Sequence, residues 1–205
     1  MTTDAADPDV TTELVLAPAV GSASVGACLD RIASDEPGFD SVVAVTVTGS
    51  AADWLERWDR HDELSSTSVT CVDATERTRS TAFSGADPTR EVTADATVQR
   101  VDRATDLERV GRKVSDVLQR ADEGGERVGV AVHSLSDVVQ RVDEATAFKF
   151  AYTLGEVVRR VDGTAYFHLD PAAHDEETVE TFTVVCDRVT DADAEVPVGD
   201  SADPR

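Results

Sequence analysis

The chain has 205 residues, enough for one sizeable core, and 41 acidic against 19 basic residues give it a net charge of -22. An apolar fraction of 40% argues against disorder of the whole chain, and no stretch approaches the roughly 18 to 20 apolar residues of a membrane span. Only two of the basic residues are lysines, Lys113 and Lys149, and no basic stripe is present, which argues against nucleic acid as a partner.

The carboxylates are spread from Asp4 to Asp203 rather than gathered in one block. With so few lysines, this is the composition expected of a halophilic proteome, in which surface carboxylates hold water and cations. At molar salt the Debye length is roughly 3 Å, so net charge then says little about partners. Residues 1–12 are polar and acidic, without the features of a signal peptide, and the expected location is the cytoplasm. Cys28, Cys71 and Cys186 are odd in number and widely spaced, and they read as free buried thiols.

Between two acidic tails, 1–12 and about 191–205, the elements read as one domain over 13–190. Glu13–Ala17 reads as a first strand, followed by a helix through Val25, Cys28, Leu29 and Ile32. Val42–Thr48 and Ser68–Val72 are strands rich in Val and Thr. Between them, Ala51–Arg60 reads as a short helix that turns Trp54 and Trp58 to the same side, for core packing or, alternatively, a partner surface. The polar stretch 74–97, with Arg77, Arg79 and Arg90, reads as a long loop.

Thr105–Asp122 has apolar residues at spacings of three and four, with a capping box from Thr105 to Glu108 and Gly124-Gly125 at its end. Val128–His133 is the next strand. A helix over Ala145–Val161 then buries Phe148, Ala151, Tyr152, Leu154, Val158 and Val161, and Ala165–Leu169 follows as a strand. Near-continuous apolar strands alternating with helices predict an α/β fold: a mainly parallel sheet covered by helices on both faces, in three layers.

The strand, loop and helix over 13–32 have the order of a phosphate-binding loop. Against G-x-x-x-x-G-K-[ST], Ala17 to Ser24 read A-P-A-V-G-S-A-S. Ala17 and Ser22 stand for the glycines, Ala23 for the lysine, and only Ser24 keeps its type. Strand Val128–Val132 ends in His133-Ser134-Leu135, where RecA-like ATPases of the KaiC-like branch carry an aspartate for magnesium. Thr164–Asp170, the segment Asp175–Thr183 and Val184–Val189 resemble the last core strands of that branch. Over residues 13–190 the chain thus resembles a haloarchaeal, inactivated RecA-like family related to P-loop ATPases.

The resemblance implies a RecA-like fold without turnover. Phosphoryl transfer needs the loop lysine and an acidic magnesium ligand. Ala23 has no ammonium, and the hard magnesium ion prefers oxygen to the imidazole of His133. A lost charged hydrogen bond costs roughly 1.5 to 3 kcal/mol of binding. A lost transition-state contact slows chemistry about a hundred- to thousandfold. The remnant loop Gly21, Ser22, Ala23 and Ser24 still offers backbone amides at a helix start, where weak nucleotide binding would occur.

A second cluster, His168-Leu169-Asp170-Pro171-Ala172-Ala173-His174-Asp175-Glu176-Glu177, offers His168, Asp170, His174 and Asp175 as metal ligands. The alternative is structural: a strand, a turn, and an acidic helix start. Ser134 and Ser136 beside His133 lack the strained turn of a hydrolase nucleophile. The expectation is therefore a non-enzyme without a cofactor, acting through another protein in regulation or signalling, with a homo-oligomer left open. A nucleotide sensor without turnover and a metal-dependent enzyme built on 168–177 are the rival readings.

Overall fold

The computed structural model describes residues 10–19, 22–75, 89–93 and 96–192, with backbone only for 22–25 and 89–93. Both expected tails (apart from their innermost residues), Gly21, Arg77 and Arg79 lie outside the described residues.

Runs of Val, Thr and Ala, buried on both sides, build the centre of a sheet that has eight strands among the described residues. The strands are β1 (Thr12–Leu16), β2 (Ser41–Thr46), β3 (Ser68–Asp73), β4 (Thr89–Thr93), β5 (Ala96–Arg100), β6 (Val128–His133), β7 (Thr164–Leu169) and β8 (Arg188–Asp191). Their spatial order is β4-β5-β3-β2-β6-β7-β1-β8. All neighbours run parallel except β4, which pairs antiparallel with β5 at one edge. Every residue of β2 and β6 is buried, as a parallel sheet covered on both faces requires.

The helices are α1 (Ser22–Ala33), α2 (Ala51–Trp58), α3 (Leu107–Gly124), α4 (Leu135–Val139), α5 (Glu144–Arg159) and α6 (Glu176–Thr183). On one face, Cys28, Leu29 and Ile32 of α1 and Trp54, Leu55 and Trp58 of α2 pack against Val15, Ala44, Ala131 and Tyr166. On the other, α3 to α6 pack against Val43, Val45, Val130 and Phe167. Trp54 and Trp58 stack with ring centres 5.3 Å apart and are buried, as the helical spacing predicts. The three-layer α/β architecture is the one expected from the sequence. Among the described residues, no helix is long and apolar enough to cross a membrane.

Several local expectations change. The supposed loop 74–97 contains β4 and the first residues of β5; β5 extends the parallel sheet beside β3. Helix α3 starts at Leu107, and its cap is Asp106, which accepts from the Arg109 amide, rather than the Thr105–Glu108 box. Its far end is as expected: Gly125 takes φ 71°, the left-handed conformation that glycine adopts without a side-chain penalty. Tyr152 is 54% exposed, because α5 buries the neighbouring stripe through Ala147, Phe150, Ala151, Leu154 and Val158. Asp175–Thr183 and Val184–Val189 do not form two strands: Glu176–Thr183 is helix α6, and the final strand is shifted to Arg188–Asp191. All three cysteines are free; Cys28 and Cys71 are buried, Cys186 partly.

Candidate functional site

The carboxyl ends of the parallel strands form the candidate site, because that is where an open α/β sheet leaves a crevice. β1 leads into α1 on one face, while its neighbour β7 and the adjacent β6 lead to α6 and α4 on the other. The connections thus diverge to opposite faces at the ends of β1 and β7, beside β6, which is the position such a crevice takes in an open α/β sheet.

A row of polar residues crosses this end of the sheet. Arg100 of β5 pairs with Asp73 of β3, Asp73 with Thr46 of β2, and Thr46 with His133 of β6. The β6–β7 register runs from Gly129–Thr164 to Val132–Phe167, so one further step sets His133 against His168. The two imidazole centres are 5.1 Å apart. His168 is fully buried, and His133 is 9% exposed.

His168 Nε2 lies 2.9 Å from the Ala17 carbonyl, the first residue after β1. A carbonyl only accepts, so this contact fixes the proton on Nε2 and leaves a lone pair on Nδ1. Burial, reinforced by the neighbouring His168, pushes the His133 imidazole down to about 4, against the attraction of Asp137. His168 is likewise lowered by burial, although the Ala17 carbonyl, Asp170 and Asp137 act the other way. Both rings are neutral near pH 7.

Asp170 sits just beyond β7 and ties the crevice together. Its Oδ2 accepts from the Ala19 amide at 2.8 Å, its Oδ1 from the Ala172 amide at 2.9 Å, and its own amide donates to Ser136 Oγ at 2.9 Å. Ser22, Ala23 and Ser24 form the first turn of α1, so the strand, loop and helix order read from the sequence is present.

The remaining metal candidates separate from this group. Asp175 caps α6 by accepting from the Thr178 amide at 2.9 Å, and that bond, with the Thr178 hydroxyl, holds its carboxyl below the usual range. His174 follows the 3-10 turn Pro171–Ala173, with its Nε2 buried and unpartnered. Among the described residues, no group of three or more His, Cys, Asp or Glu side chains converges on one point, so His168, Asp170, His174 and Asp175 do not form a four-ligand set.

Asp137 is the member of the site that the sequence reading missed. It accepts from the Thr48 hydroxyl and from Ser134 Oγ, the latter at 3.0 Å, and Ser134 Oγ in turn accepts from the Asp137 amide at 3.2 Å. Ser134-x-x-Asp137 is a helix-start signature, and this spacing was the available signal. Both Ser134 and Ser136 are engaged in capping and backbone support, not in a nucleophile–base pair.

A concave surface of a different kind lies between α3 and α5, with a volume of about 450 Å3. Leu107, Phe150 and Leu154 form its floor, and Arg112 and Lys149 stand on its walls.

No curated protein matches the chain. Among solved structures, a KaiC-like protein from the hyperthermophilic archaeon Pyrococcus horikoshii OT3 is similar, with a TM-score of 0.50 and 12% identity over 91% of this chain and 74% of that one. The flagellar accessory protein FlaH from Methanocaldococcus jannaschii gives a TM-score of 0.49 at 8% identity, covering 88% of this chain and 70% of that one. At such identities the likeness is one of fold, and the fold is RecA-like. The family match spans residues 11–192, from the residue before β1 to the residue after β8, and the chain belongs to the family of unknown function DUF7504.

Proposed function

We propose that this chain is a non-catalytic RecA-like domain that acts by binding another protein, in a regulatory or signalling role within a salt-rich archaeal cell. The observation that carries the reading is the hydrogen bond from the Ala19 amide to Asp170 Oδ2, at 2.8 Å. In a phosphate-binding loop the backbone amides face the anion. Here an amide of the equivalent loop is engaged by the protein's own carboxylate, whose charge would oppose an incoming phosphate. Ala23 brings no ammonium to offset that charge.

Magnesium does not fit the residues present at the end of β6. His133 offers nitrogen where a hard cation needs oxygen, and it is kept neutral by burial. The carboxylate that acts on His133, Asp137, is already bonded to Thr48 and Ser134. The protein-contact half of the reading is supported by the groove between α3 and α5, whose apolar floor lies on the side of the sheet opposite α1.

Titration calorimetry with ATP and magnesium in about 2 M potassium chloride, salt that screens the acidic surface, tests the reading. No heat is expected at millimolar ATP. Micromolar binding that is lost in Gly21→Trp would replace this reading with a nucleotide sensor. For the contact surface, a protein cross-linked to the wild-type chain in cells should be lost with Thr153→Arg in the groove; retention would move the contact elsewhere.

A further inference from the structure

We propose that His133 and His168 form a binding site for one divalent transition-metal ion of the zinc class, at the carboxyl ends of β6 and β7. Of the cluster over 168–177, only His168 belongs to this pair. The site stands apart from the protein-contact reading, and neither depends on the other.

Both side chains lie on the face covered by α1 and α2. Ala131 and Tyr166, two residues earlier on each strand, belong to the core of that face, and alternation along a strand returns His133 and His168 to it. Two imidazoles that share one tetrahedral ion at about 2.0 to 2.1 Å from each nitrogen have ring centres about 5 Å apart. The observed separation is 5.1 Å, with the rings tilted by 47°.

The hydrogen bonding suits ligation. His168 Nε2 is tied to the Ala17 carbonyl, the arrangement by which metal-binding histidines are commonly oriented, and it leaves the Nδ1 lone pair available. Among the described residues, the Nδ1 atoms of both His133 and His168 are buried without a partner. An unpaired buried polar atom is costly, and two on neighbouring rings whose centres are 5.1 Å apart are both relieved by one shared occupant. Thr46 Oγ1, on the register partner of His133, is also buried and unpartnered, so it can bond a water or anion completing the ion's shell.

Charged groups act on the pair from both sides. Asp137 acts on both rings, Asp170 acts on His168, and Arg57 of α2 opposes on the His133 side. Neutral imidazole favours zinc, nickel, copper or iron over magnesium. With two protein ligands the coordination shell stays open, in contrast to the closed four-ligand shell of a structural zinc site. A buried water bridging the rings is the competing occupant.

The test uses the full chain, stripped with a chelator and dialysed into about 2 M potassium chloride so that surface carboxylates are screened. Cobalt(II) is titrated while the visible absorption of a tetrahedral ion is followed, and zinc is then added in competition. One ion per chain is expected. His133→Gln and His168→Gln should each weaken binding by at least about tenfold, and His174→Gln should not. No stoichiometric binding, or binding unchanged in both variants, overturns the site and leaves water as the occupant. Should either variant fail to fold by circular dichroism, nitrogen NMR of the wild-type imidazoles decides: zinc must shift the Nδ1 resonances of two histidines, and unmoved resonances refute the proposal.

Discussion

Arg31 of α1 grips Glu13 of β1 through two hydrogen bonds, Nε to Oε1 at 2.7 Å and Nη2 to Oε2 at 2.9 Å. Glu13 is 2% exposed and also accepts from Thr190 Oγ1 at 2.7 Å, with Arg188 at 3.9 Å. One buried carboxylate thus joins the first strand, the first helix and the last strand. Removing Arg31 leaves the buried Glu13 carboxylate to Thr190 and the more distant Arg188, whereas removing both members of the pair avoids that loss.

Arg31→Ala is therefore expected to destabilise the fold by about 3 to 5 kcal/mol. The double variant with Glu13→Leu should cost less than the sum of the two single changes. Chemical denaturation at fixed salt measures both, and strict additivity would show that the two groups act independently.

Asp187, just before β8, gives an acid dependence of known sign. Partial burial pushes its carboxyl up, but hydrogen bonds from Thr12 and Thr11 and the charge of Arg159 outweigh this and hold it below its ordinary 3.8. The proton is thus bound more tightly in the unfolded chain. The stabilisation from Asp187 is present above 3.8 and is lost as pH falls through the lower, folded value. The stability gap between wild type and Asp187→Asn should narrow from about pH 5 to about pH 3. A gap that stays constant across that window would contradict the assignment.

Two glycines should respond in opposite directions. A Cβ at Gly163, which leads into β7, would meet the Val128 carbonyl oxygen at 2.9 Å and Val158 Cγ1 at 3.2 Å. Gly163→Ala is expected to cost about 1 to 3 kcal/mol through overpacking. Gly111 lies inside α3 with nothing within 4 Å of an added Cβ. Gly111→Ala should stabilise by about 0.5 to 1 kcal/mol, as alanine favours the helix. Thermal unfolding of the two variants beside wild type checks both signs.

The central strands and the long helices were legible because their signals are local. Val42–Val45 and Val128–Val132 are continuous runs without a polar side chain, and Leu107, Val110, Val114 and Leu118 repeat with the helical period. β4 and β5 were not legible, because polar residues outnumber apolar ones there and β5 is stabilised by pairing with β3. Pairing of that kind depends on a distant strand, to which no window of sequence refers. The candidate site divides in the same way. The absence of the loop lysine at Ala23 and the histidine at 133 could be read directly, whereas the bond from Ala19 to Asp170 spans 151 positions.

By itself the sequence determined the alternation of strands and helices, the two-sided burial of the sheet and the chemical inventory at each strand end, because side-chain type and spacing act over a few residues. Only the tertiary structure decided that His133 meets His168, that Asp170 holds the loop after β1, and that His174 and Asp175 stand apart. Those relations follow from the order and register of parallel strands, which set neighbours across the sheet through hydrogen bonds between residues far apart in the chain.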